Sequence, residues 1–98
     1  MQYVDDRRKH SRLALNRLVI VKDEAGSTKK LIGVNYSTHG IALTCSIPLD
    51  FGEYVDLQFW LTEPETKEIN MTAKVIQNSK EGDIYLTSLK FVGEILLN

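Results

Sequence analysis

The sequence predicts an all-β fold: a six-stranded antiparallel β-barrel behind a flexible, arginine-rich N-terminal leader. Three observations carry this. Apolar residues recur with period two in short runs, which marks strands with one buried face. Six such runs alternate with segments rich in Gly, Asp, Ser and Pro, the residues of turns. No apolar stripe of helical period extends beyond a turn or two. Closure into a barrel is favoured because it removes sheet edges that so small a sheet could not protect. With 98 residues and 11.1 kDa the chain supports one core and one domain, divided here into a leader at 1–12 and a barrel at 13–98.

Taken in order, the leader carries six charges in twelve residues, Asp5, Asp6, Arg7, Arg8, Lys9 and Arg12, and lies outside the alternating pattern. The strand candidates 13–22 and 30–36 follow, each with an apolar set that changes phase as it does at a bulge or where both faces are partly covered. Residues 41–45 alternate cleanly, with Ile41, Leu43 and Cys45 on one side. Residues 54–61 set Val55, Leu57, Phe59 and Leu61 against Tyr54, Asp56, Gln58 and Trp60. Residues 69–75 repeat the pattern with Ile69, Met71, Ala73 and Val75, and 84–91 form a last, less regular strand. Turns are expected at 23–28, 37–40, 48–52, 62–66 and 78–83. The terminal stretch 93–98 could begin a helix but is too short to hold one.

Composition narrows the function. Hydrophobic residues are 43% and charged residues 26%, ordinary globular values that fit neither disorder nor a low-complexity chain. A formal charge of −1 and a pI near 6.1 argue against gripping long nucleic acid or an anionic membrane by bulk charge. A single cysteine, Cys45, can close no internal disulfide and build no Cys-based zinc site, so it is expected as a buried small hydrophobe in a reducing compartment. No signal-peptide pattern or membrane-length apolar run occurs, and a cytoplasmic protein without membrane insertion is expected. His10 and His39 lack carboxylate or cysteine partners at ligand spacing and are expected as exposed spacers, with no metal. No catalytic constellation stands out, so the chain is expected not to be an enzyme and to use no cofactor.

The chemistry is concentrated in two places. All four arginines, Arg7, Arg8, Arg12 and Arg17, fall within the first 17 residues. Arginine offers a planar fork of donors that matches phosphate oxygens or the O6/N7 edge of guanine. Arg8 and Arg12, four apart, share a face in a helix or a strand. Taken alone, such a run is more often a solvated leader. The second place is Asn35-Tyr36-Ser37-Thr38-His39-Gly40. Extended backbone puts the Asn35 amide and the Ser37 hydroxyl on one side, and Gly40 can take positive φ or admit a ligand close to the backbone. Taken alone, this is an ordinary Asx or Ser turn closing a hairpin.

Together, Arg8-Lys9-His10-Ser11-Arg12 and Asn35-Tyr36-Ser37-Thr38-His39-Gly40 resemble the paired motifs of the PilZ domain family: Arg-x-x-x-Arg before the first strand, then Asp/Asn-x-Ser-x-x-Gly. The resemblance runs from about Asp6 to Phe91. It implies a six-stranded barrel that binds the bacterial second messenger cyclic di-GMP as a regulatory ligand. It also implies roles: Arg8 and Arg12 on phosphate and the guanine Hoogsteen edge, Asn35 and Ser37 on the ligand's other face, and Gly40 permitting the turn. Arg7 matches a position associated with a stacked pair of ligand molecules. Ser88, in Ser88-Leu89-Lys90-Phe91, stands where the family often has glycine, a change expected to affect packing more than binding.

The leading expectation is thus a non-enzymatic receptor whose leader closes over the nucleotide and alters contact with an effector protein or attached domain. The alternative is a PilZ-type protein-interaction barrel that does not use the nucleotide. A barrel stacking single-stranded nucleic acid on Tyr54 and Trp60 is disfavoured by the acidic pI.

Overall fold

The computed structural model describes residues 13–62 and 65–93. The leader, with Arg7, Arg8, His10 and Arg12, lies outside them, as do 94–98 of the terminal stretch. The described residues form six strands and no helix: β1 (Leu13–Lys22), β2 (Thr28–Tyr36), β3 (Gly40–Cys45), β4 (Tyr54–Leu61), β5 (Lys67–Glu81) and β6 (Ile84–Phe91). They close into a barrel in the order β1-β2-β3-β6-β5-β4, every neighbouring pair antiparallel.

Two three-stranded meanders, β1-β2-β3 and β4-β5-β6, therefore join along two seams. The β3–β6 seam runs from Gly40↔Lys90 to Cys45↔Tyr85, while β1 and β4 meet over Ile20↔Gln58 to Lys22↔Asp56. The chain passes from β3 to β4, on opposite sides of the ring, through residues 46–53, which lie across one mouth of the barrel. Leu49 of that crossing is buried in the core.

Alternation explains the interior. Val55, Leu57, Phe59 and Leu61 of β4 point inward, as do Ile69, Ala73 and Val75 of β5, Ile41, Leu43 and Cys45 of β3, and Leu89 and Phe91 of β6. Cys45 is buried and unbonded, as its place in the apolar phase required. The phase changes fall at bulges. Leu15 and Asn16 of β1 oppose Val34 alone, with Asn16 at φ 50°, a left-handed conformation that asparagine tolerates better than most residues. Gly33 sits beside this irregularity because β1 crowds it: a β-carbon there would lie 2.5 Å from Leu15 Cδ2 and 2.8 Å from Val19 Cγ2.

β2 begins at Thr28, two residues before its expected start, and β5 departs further from expectation. Residues 78–83 read as a turn, yet β5 continues to Glu81 and only Gly82 and Asp83 make the hairpin. A bulge at Ile76 shifts the register between Val75 and Gln77, so that Val75 and Asn78 both serve the interior. Asn78 there donates from Nδ2 to the Leu49 carbonyl at 2.8 Å and accepts at Oδ1 from the Thr87 hydroxyl at 2.6 Å. Thr87 is wholly buried. The polar run is strand because its amide has partners inside the barrel, which composition does not show.

Thr87→Val keeps the shape and removes the donor to Asn78. Leaving that acceptor unsatisfied is expected to cost about 1–3 kcal/mol, read as a lower urea midpoint with an unchanged m-value.

Candidate functional site

The end of the barrel opposite the 46–53 crossing gathers the second motif and the start of the first strand. Leu13, the residue that follows Arg12 in the chain, pairs with Tyr36, and Ala14 pairs with Asn35. The start of β1 thus lies beside the second motif, while Arg7, Arg8 and Arg12 lie outside the described residues.

Asn35 is half-buried near the end of β2. Its row across the sheet reads Ala14, Asn35, Ala42, Ser88 and Gln77 from β1 to β5. Small residues flank the amide on both sides, Ala14 exposed and Ala42 buried. Ser88, noted only as a departure in packing, stands in this same row; its place could be found only once the β3–β6 register was known.

Ser37 follows β2 directly and is 2% exposed. Rather than standing open beside Asn35, its hydroxyl accepts a hydrogen bond from the His39 N–H at 3.2 Å, and its own N–H donates to the Gly40 carbonyl at 2.8 Å. This is a serine turn joining β2 to β3. His39, expected as an exposed spacer, is half-buried: Nδ1 is hydrogen-bonded to Thr38 Oγ1 at 2.7 Å, and its carbonyl accepts from the Phe91 N–H at 2.8 Å. The hairpin tip is thereby pinned to β6.

Gly40 is glycine for a different reason from positive φ, which it does not have. It is buried within the β3–β6 ladder, and a β-carbon on it would lie 2.5 Å from the Leu89 carbonyl oxygen. What approaches its backbone is the last strand of the barrel itself.

Arg17 belongs to this rim as well. Its Nη2 donates to Thr62 Oγ1 at 2.8 Å, and the two residues line a concavity of about 280 Å³ with Ala14 and Tyr36. Tyr36 packs inward against Phe59, ring centroids 6.4 Å apart. Arg17 was counted among the arginines but not placed in the site, because only the β1 bulge and closure against β4 bring it there.

The outer face of β4 and β5 has another character. Glu68 Oε2 accepts from both Asn70 Nδ2 and Gln58 Nε2 at 2.9 Å, and the Asn70 and Gln58 amides hold its carboxyl below the usual glutamate range. Asp56 accepts from the Thr72 hydroxyl alongside. Trp60 pairs with Glu68, and Tyr54 has Lys74 Nζ 5.8 Å above its ring. Fixed carboxylates beside these rings oppose a nucleic-acid backbone. Among the described residues no cluster of His, Cys, Asp and Glu is disposed to hold a metal, and no helix is long and apolar enough to cross a membrane.

The PilZ domain model matches residues 6–95. Among curated proteins none matches. Among solved structures the barrel is similar to Bacillus subtilis inhibitor of motility (MotI/DgrA), with TM-score 0.75 and 23% identity over 91% of this chain and 44% of that one. It is also similar to the PilZ domain of YcgR from Escherichia coli with c-di-GMP, at TM-score 0.65 and 16% identity over 88% of this chain and 78% of that one. The K. pneumonia MrkH–c-di-GMP complex gives TM-score 0.65 and 19% identity over 89% and 44%. The chain spans less than half the length of the MotI and MrkH chains.

Gly40→Ala tests the tight seam. Displacing the Leu89 carbonyl is expected to destabilise the fold by about 1–3 kcal/mol, as overpacking does, measured by urea denaturation of both proteins.

Proposed function

The chain belongs to the PilZ domain family, and on that premise we propose that it is a non-enzymatic receptor for cyclic di-GMP. The observation that supports this most directly is the pairing of Leu13 with Tyr36 and of Ala14 with Asn35. It ties the arginine-bearing leader to the rim where Asn35, Ser37 and Gly40 sit. Arg8 lies five residues before Leu13 in sequence, so the tether keeps it within about 18 Å of the start of β1 even when fully extended.

In this reading Asn35 hydrogen-bonds the ligand from the row it shares with Ala14, Ala42 and Ser88. Ser37 fixes the turn that sets the Asn35 backbone, and Gly40 fixes the seam beneath it. Arg8 and Arg12 bring charge-assisted donors to the two phosphates and to the guanine Hoogsteen edge, the bidentate geometry arginine suits. Arg7 serves a second, stacked ligand molecule. Ligand binding orders the leader, the ordering entropy being offset by these bonds, and the ordered leader presents a changed surface to an effector protein or attached domain. The structures of YcgR and MrkH with c-di-GMP support the choice of nucleotide.

Calorimetry with cyclic di-GMP, with GMP and cyclic di-AMP as controls, tests the reading. Saturable binding at micromolar affinity or tighter, about −8 kcal/mol, is expected. Arg8→Ala and Arg12→Ala are each expected to weaken it by about 1.5–3 kcal/mol, the scale of a hydrogen bond to a charged group. No heat at high ligand moves the function to protein interaction. Hydrogen exchange tests the clasp separately: leader amides should gain protection with ligand, and unchanged exchange there removes the closing leader even if binding stands.

A further inference from the structure

The far mouth of the barrel carries a feature that nucleotide binding does not use. Ile47 and Phe51, at 70% and 76% exposure, are the two most exposed large apolar side chains among the described residues, and both stand on the 46–53 crossing. β2 runs from this mouth at Thr28 to the Asn35 rim, a separation of about 23 Å at roughly 3.3 Å per residue.

The crossing is held rigidly. Leu49 is sunk in the core and its carbonyl takes the Asn78 amide. Gly52 N–H donates to the Val75 carbonyl at 2.8 Å, Val75 N–H to the Glu53 carbonyl at 2.9 Å, and Glu53 N–H to the Asp50 carbonyl at 3.1 Å. Ile47 and Phe51 are therefore displayed on a fixed platform, and a partner that covers them loses little loop entropy. An aromatic and an aliphatic anchor so presented have the character of an interface centre.

Charge decides the partner. Ile47 lines a concavity of about 230 Å³ together with Asp23, Asp50, Glu53 and Lys29, and Phe51 follows Asp50 in the chain. Over 22–29 and 46–53 the charges are Asp23, Glu24, Asp50 and Glu53 against Lys22 and Lys29, four minus two, a net of −2. A second copy of the chain would set these carboxylates against themselves, which a two-fold contact cannot avoid. We propose that this mouth is a docking surface for a cationic amphipathic segment of a partner protein, with Ile47 and Phe51 as anchors and the carboxylates steering and orienting the approach. The proposal does not rest on nucleotide binding.

The test is titration of the isotope-labelled full chain with a leucine/lysine amphipathic helical peptide, followed by amide chemical shifts. Shifts confined to 22–29 and 46–53 are expected, with affinity falling about tenfold or more in the I47S/F51S double variant. Both side chains are exposed, so that variant should melt as the parent does. D50N/E53Q, which leaves the apolar pair in place, should also weaken binding, as should salt that shortens the Debye length to about 3 Å. Shifts that map elsewhere, equal binding of a leucine/glutamate peptide, or an undiminished double variant overturn the proposal. So does self-association of the parent that I47S/F51S abolishes, since a second copy then covers the surface.

Discussion

The seam between β3 and β6 governs the molecule. Two meanders have no reason to face one another until these strands pair, and both ends of the barrel are fastened to β6. At one end the Phe91 N–H holds the His39 carbonyl, and the Leu89 carbonyl fits where only glycine leaves room at position 40. At the other end Thr87 bonds Asn78, which in turn holds the Leu49 carbonyl of the crossing loop. Three alternate, inward-facing residues of one strand thus support the motif hairpin and the opposite cap at once. The hydrogen bonds matter less for their gross energy than for the cost of leaving buried groups unpaired.

Charge is distributed unevenly along this frame. The chain as a whole is nearly neutral, yet its arginines are confined to the N-terminal stretch and the crossing-loop mouth is net acidic. Between them the outer face of β4 and β5 carries Glu68 and Asp56, both held by neutral amide or hydroxyl donors. Guanidinium groups are thus concentrated at the N-terminal end of the sequence, while lysines and carboxylates are scattered downstream. That arrangement suits a compact dinucleotide better than a long polyanion.

The period-two pattern made most of the fold legible. Val55 to Leu61, Ile69 to Val75 and Ile41 to Cys45 point as their alternation required, and the turn expected at 37–40 occupies 37–39, with Gly40 opening β3. What escaped depended on partners distant in sequence. Asn78 and Ser79 read as loop because polarity is local information, whereas the Leu49 carbonyl and the Thr87 hydroxyl are not. Ser37 read as an open hydroxyl because alternation gives its side, not its burial. Gly40 read as free to take positive φ or to admit a ligand because nothing in the sequence announces a carbonyl crossing from β6. Arg17 and Ser88 reach the rim only through the β1 bulge and the closed register. The Arg-x-x-x-Arg half of the site, Arg8 and Arg12, lies outside the described residues, so its part in the site rests on the motif and on the strand pairing that anchors it.

The position of β6 as the last strand in chain order has a consequence for how the protein comes into being. During synthesis the first five strands emerge before the strand that supports both ends of the barrel. A nascent chain without β6 lacks the ladder partner of Gly40, the Phe91 N–H that holds the His39 carbonyl and the Thr87 hydroxyl that bonds Asn78, and the pairings that close the ring are among the most distant in sequence, the kind that slows folding. Folding of this domain therefore waits until β6 has been made: rim and cap mature together, and a chain truncated inside β6 yields a degradation substrate.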